Sequence, residues 1–114
     1  MFGATVPTVT VTSIPDGAVL LDCREHDEWD AGHIDGAVHV PMNSIPSRLQ
    51  FDPGPLTPDA TIVVVCKVGS RSAMVADWLN RNGYTAMNLS GGMSAWQAAH
   101  RPMISRDGAP PYIA

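Results

Sequence analysis

Two short, unbroken apolar runs do most to limit the folds open to this chain. They are Ala18-Val19-Leu20-Leu21, ending in Asp22, and Thr61-Ile62-Val63-Val64-Val65, ending in Cys66. Neither alternates apolar with polar, so each suits a strand buried on both faces, the habit of parallel sheets covered by helices. Parallel neighbours need crossover connections, and the segments between the runs read as helices. Glu25 to Asp30 is a short acidic candidate. Asn43 to Gln50 is a second, with Asn43 as N-cap and Pro46 tolerated in the first turn. The clearest helix spans Ser70 to Arg81, where Val75, Trp78 and Leu79 share one face and Gly83 stands where a C-cap belongs. A last helix is expected from Met93 to Ala99. Further strands are expected at Thr85 to Leu89, after the turn pair Asn82-Gly83, and in the alternating Thr8 to Thr12. Phe51 to Pro58, with three prolines and a glycine, reads as a surface loop. The tail from Pro102 is expected to be extended or partly disordered. Strands alternating with helices define an α/β domain with a mainly parallel sheet.

At 114 residues there is room for one domain with its own core, and no internal repeat divides it. A net charge of -4 offers no footprint for nucleic acid or an anionic membrane. No apolar run approaches the roughly 20 residues of a membrane helix, and Met1 to Thr12 does not read as a secretory leader. Two cysteines make no disulfide scaffold, so a reducing, cytoplasmic setting is expected.

The chemistry concentrates where the second buried run ends. Cys66 is followed by Lys67-Val68-Gly69-Ser70-Arg71 and then by the clearest helix. A strand-to-helix turn lies at the carboxyl edge of an α/β sheet, where ligands bind. Helix starts leave N–H groups unpaired, and a loop curled round a cysteine turns them into an anion nest. Gly69 can adopt the positive φ such a tight ring needs. A free thiol with a pKa near 8.5 is only a few per cent thiolate at neutral pH. Two pH units of lowering need about 2.7 kcal/mol, whereas a helix terminus gives about 0.3–1 kcal/mol. Lys67, Arg71 and the loop amides are the obvious remaining contributors. The bland reading, a buried strand-end cysteine, explains neither the two cations nor the glycine. Cys66 is therefore expected to be thiolate-rich and open to donors.

The loop and its flanks resemble the rhodanese family of sulfurtransferase domains. Leu20-Leu21-Asp22-Cys23-Arg24-Glu25, Glu28-Trp29 and Gly32-His33-Ile34-Asp35-Gly36-Ala37-Val38-His39-Val40-Pro41 are similar to its N-terminal signature. Leu89-Ser90-Gly91-Gly92-Met93 through Trp96 is similar to its C-terminal one. The resemblance covers residues 12 to 101, after a lead-in strand at 1–11 and before a tail at 102–114. It implies a five-stranded, mainly parallel sheet flanked by helices on both faces, and puts the persulfide-forming cysteine on Cys66. It implies transfer of a sulfane sulfur from a small anionic donor such as thiosulfate to cyanide, a thiol or a protein acceptor, without a cofactor. Lys67 and Arg71 would then bind the donor, Ser70 would offer a hydroxyl or N–H, Val68 and Gly69 would offer amides, and Asp22 and Arg24 would brace the loop. Cys23 departs from the pattern, which has an aliphatic residue there; it reads as a small hydrophobe or, less simply, as a resolving thiol for Cys66.

Two other classes share these features. Cysteine phosphatases and arsenate reductases also hold a thiolate in an amide-lined loop ending in arginine. The related phosphatases have five residues between cysteine and arginine, whereas four lie between Cys66 and Arg71. The shorter ring fits one sulfur better than a tetrahedral phosphate. A persulfide carrier serving a partner protein would use the same Cys66. His26, His33, His39 and His100 match no zinc spacing, so no metal is expected.

Overall fold

The computed structural model describes residues 6–114; residues 1–5 of the expected lead-in lie outside the described residues. Five strands form one sheet: β1 (Thr8–Val9), β2 (Val19–Asp22), β3 (Val38–His39), β4 (Thr61–Val65) and β5 (Thr85–Leu89). Their order is β1-β5-β4-β2-β3, and each neighbouring pair is parallel. The helices are α1 (His26–Ala31), α2 (Ile45–Phe51), α3 (Ser70–Arg81) and α4 (Gly92–Ala98).

The two apolar runs become the two strands at the sheet's centre. Ile62, Val63, Val64 and Val65 of β4 are all fully buried, which is why the sequence there does not alternate. On one face Leu21, Ile62 and Val64 pack with Ile45 of α2 and Val75, Ala76 and Leu79 of α3. On the other, Val63, Val65 and Leu89 pack with Met93 and Trp96 of α4 and with Ile34 from the β2–β3 connection. Helices thus cover both faces of the sheet. The chain runs outward from β2 to β3 and then returns to β4 on the other side of β2. That reversal puts the β2 and β4 carboxyl ends at a topological switch point, the usual location of a ligand site.

Several local expectations shift. The N-terminal strand is two residues long rather than five, because only Thr8 and Val9 find partners on β5. Asn43 lies inside a short 3-10 turn, Met42–Ser44, and Ser44 takes the N-cap position of α2, with Pro46 in its first turn as required. Phe51 ends α2 rather than opening the loop. The face expected of α3 is narrower: Val75 and Leu79 are buried, but Trp78 is 39% exposed. The tail is docked along α1 rather than loose. Ile104 makes an antiparallel bridge with His33, Tyr112 N–H donates to the Ala31 carbonyl, and Ile113 joins the core.

Candidate active site

Cys66 is the first residue beyond β4, and its loop is tied by its carbonyls. The Cys66 carbonyl accepts the Met93 N–H (2.8 Å) and the Lys67 carbonyl accepts the Ser94 N–H (3.0 Å), both from the start of α4. The Gly69 carbonyl accepts Asn88 Nδ2 from β5 (3.1 Å). With the carbonyls committed to α4 and β5, the loop N–H groups are left for the sulfur. Gly69 N–H donates to Cys66 Sγ at 3.1 Å. Gly69 has φ +109°, the left-handed conformation the ring was expected to need. Gly92 is required for a different reason. A Cβ there would lie 2.3 Å from the Cys66 carbonyl oxygen, so only glycine lets α4 approach the loop so closely.

The first turn of α3 adds a side-chain donor. Ser72 is fully buried, with Oγ 3.2 Å from Cys66 Sγ and 2.5 Å from Asn88 Oδ1. A hydroxyl has one proton, and Asn88, oriented by its Nδ2 bond to the Gly69 carbonyl, faces that hydroxyl with the acceptor Oδ1. The proton therefore serves Asn88 while Cys66 is a thiol, and turns to sulfur when Cys66 is a thiolate. Burial is the largest single influence on the Cys66 thiol and pushes its pKa up. The Ser72 hydroxyl and the amides of Ser72, Gly69 and Val68 together outweigh it, so the pKa falls below the ordinary thiol value. Hydrogen bonds carry this lowering; Lys67 and Arg71, credited with a share from the sequence, are not among the leading causes.

Three further expectations are corrected. Cys66 is 0% exposed, so the sulfur is covered at rest rather than open, although the amides around it do face it. Arg71 is not a free anion binder: Nη1 and Nη2 donate to Glu28 Oε1 and Oε2 at 2.7 and 2.9 Å. That bidentate pair clamps the start of α3 to α1, and it holds the Glu28 carboxyl down at about 2. Among the described residues Asp22 and Arg24 make no side-chain hydrogen bond or ion pair to the loop. Arg24 Nε and Nη2 fork onto Asp22, with Nη2 2.7 Å from Oδ2, and Nη2 also reaches the Gly32 carbonyl (2.8 Å). This buried pair fixes the end of β2 to the end of α1.

Lys67 and Ser70 stand exposed on the outer rim with Val68, and the Lys67 ammonium makes no ion pair among the described residues. Sequence reading missed Glu28, Ser72 and Asn88 as members of the site. A polar asparagine near the end of a largely apolar strand was a usable signal for Asn88. Glu28 and Ser72 carried none, because their partners are distant in sequence or hidden by the loop's curl. His33, expected to be structural, donates its Nδ1–H to the Trp29 carbonyl (2.7 Å) and stacks on the Trp29 ring. No helix among the described residues is long and apolar enough to cross a membrane.

Known proteins bear on this arrangement directly. The rhodanese-like domain family matches residues 11–99. The chain is 36% identical over 83 residues to "Putative sulfurtransferase YtwF" of Bacillus subtilis, a match covering 73% of this chain and 77% of that protein. It is 32% identical over 94 residues to a protein named "Sulfurtransferase" in Allochromatium vinosum, covering 82% and 84%. Two mycobacterial relatives are longer, and the match spans 21% of their length. Among solved structures, a rhodanese-related protein from Thermoplasma volcanium superposes with a TM-score of 0.77 over 86% of this chain and 97% of that one; at 22% identity this speaks to the fold alone. With an amide-ringed cysteine at the switch point of a parallel sheet and a family match over most of its length, the chain belongs to the rhodanese-like family of sulfurtransferase domains.

Proposed function

We propose that Cys66 carries the transferred sulfur as a persulfide. The Cys66 thiolate attacks the outer sulfur of an anionic donor such as thiosulfate. The bond between the two donor sulfurs breaks, sulfite leaves with its electron pair, and the anionic persulfide remains on Cys66. Cyanide or an acceptor thiol then takes the outer sulfur and restores the thiolate. These are two displacements through a covalent intermediate, so ping-pong kinetics are expected. Sulfite leaves as a stable anion, and no general acid is needed.

The observation that carries this reading is the Cys66 sulfur held by the Gly69 N–H and the Ser72 hydroxyl. Such donors stabilise negative charge wherever it sits within the ring, on the thiolate or on the persulfide that replaces it. Lys67 is the loop cation left to attract the donor, Ser70, Val68 and Gly69 shape the ring, and Arg71 holds it against α1. Because Cys66 is covered at rest, donor entry requires the atoms over its sulfur to move aside.

Intact mass after exposure to thiosulfate tests the reading. A gain of about 32 Da that cyanide removes, absent in Cys66→Ser, is expected. No gain in the folded wild type, with none in a folded Cys23→Val protein either, overturns it. A persulfide that forms but is not passed to cyanide identifies a carrier that needs a protein acceptor.

A further inference from the structure

Cys23 and Cys66 stand side by side at the switch point. Asp22 pairs with Val65 in the parallel ladder, and Cys23 N–H donates to the Val65 carbonyl at 3.0 Å. One step further along both chains sets Cys23 beside Cys66. Side chains alternate along strands, and both cysteines fall in the same core cluster as Leu21 and Val64, two residues behind them. They therefore share a face of the sheet. Neighbouring strands lie about 4.8 Å apart, inside the Cα separation of about 4.4–6.8 Å that a disulfide bridges. Both residues are free thiols and fully buried.

We infer that Cys23 is a resolving thiol that discharges the Cys66 persulfide, giving this domain a sulfide-releasing activity besides sulfur transfer. The inference rests on the persulfide reading above. Cys23 Sγ attacks Cys66 Sγ, a Cys23–Cys66 disulfide forms, and the bond from Cys66 Sγ to the outer sulfur breaks. The outer sulfur departs with that electron pair as hydrosulfide, taking the proton that Cys23 gives up. The sulfane sulfur is reduced by two electrons and the two thiols are oxidised by two, so no outside oxidant enters. An external dithiol must later reduce the disulfide to reset the site.

Burial favours this direction. The persulfide holds a negative charge inside the fold, whereas the disulfide is neutral and the charge leaves with a small anion. Burial, the Cys66 charge and Asp22 push the Cys23 thiol up to about 12, so it does not act as a free thiolate. The anionic outer sulfur supplies the base it needs, and proximity replaces intrinsic reactivity. Cys23 therefore stays silent until Cys66 carries a persulfide.

The test compares wild type, Cys23→Val and Cys23→Ala after full reduction, exposure to thiosulfate without oxygen, and removal of excess donor. Intact mass and released sulfide are followed with time. In the wild type the gain of about 32 Da is expected to give way to a species about 2 Da lighter than the reduced protein, with one equivalent of sulfide released. Dithiothreitol restores the starting mass. Both variants are expected to keep the gain of about 32 Da and to release about tenfold less sulfide or lower still. A wild-type persulfide as long-lived as that of the variants, with no lighter species, overturns the inference and leaves the proposed function standing. Failure of all three proteins to gain the sulfur removes both.

Discussion

Replacing Ser72 by alanine isolates the donor that sequence reading did not find. Its hydroxyl lies 3.2 Å from Cys66 Sγ, and among the causes that lower the thiol's pKa it ranks ahead of the loop amides. A hydrogen bond to a charged group is worth about 1.5–3 kcal/mol. Part of that is already spent, because the proton must be withdrawn from Asn88 Oδ1 at 2.5 Å before it can serve the sulfur. A net loss of about 1.4 kcal/mol in thiolate stabilisation follows, which is tenfold in the thiolate population below the inflection. Ser72→Ala is therefore expected to slow alkylation of Cys66 by iodoacetamide about tenfold at pH 7 and to move the rate inflection to higher pH. The amides of Gly69, Val68 and residue 72 itself remain, so the reaction should be slowed rather than abolished. The assay follows rate against pH in the Cys23→Val background, so that one thiol reports. An unchanged inflection, or one moved to lower pH, would refute the claim that hydrogen bonds to sulfur set its charge.

Other residues give independent outcomes. The Glu28 carboxyl falls from 4.5 to about 2 beside Arg71, so its ionised form stabilises the fold above pH 4.5 and that contribution is lost as pH falls towards 2. The difference is on the order of 3 kcal/mol, and denaturation midpoints measured from pH 5 to 2 should fall more steeply in wild type than in Glu28→Gln. Asp22→Ala leaves the Arg24 guanidinium charged and unpaired at 0% exposure, and a loss of about 3–5 kcal/mol in urea unfolding is expected. Gly92→Ala forces a methyl against the Cys66 carbonyl, and Cys66 alkylation should lose its low-pH reactivity while far-UV circular dichroism keeps the α/β signature.

The central strands were legible because their chemistry is local. A run such as Ile62 to Val65 has no polar face to show to water, and only a two-sided cover satisfies it. The α3 helix was legible from its spacing, and Gly69 from the turn that a strand-to-helix loop must make. The family resemblance implied a fifth strand without placing it, since Val38 and His39 of β3 gain their strand character from pairing with Leu21 and Asp22. The cap of α2 and the exposure of Trp78 depended on neighbours that the local pattern does not contain.

The sequence by itself determined that a buried strand would deliver Cys66 to a glycine-bearing loop at a helix start, because apolar patterning and backbone freedom act over a few residues. Tertiary structure alone decided which groups face the sulfur and which charges are already spoken for. Arg71 meets Glu28 across 43 positions, and Ser72 meets Asn88 across 16. Hydrogen bonds and ion pairs act at about 3 Å through space, so the residues they join become neighbours only once the sheet has set its order.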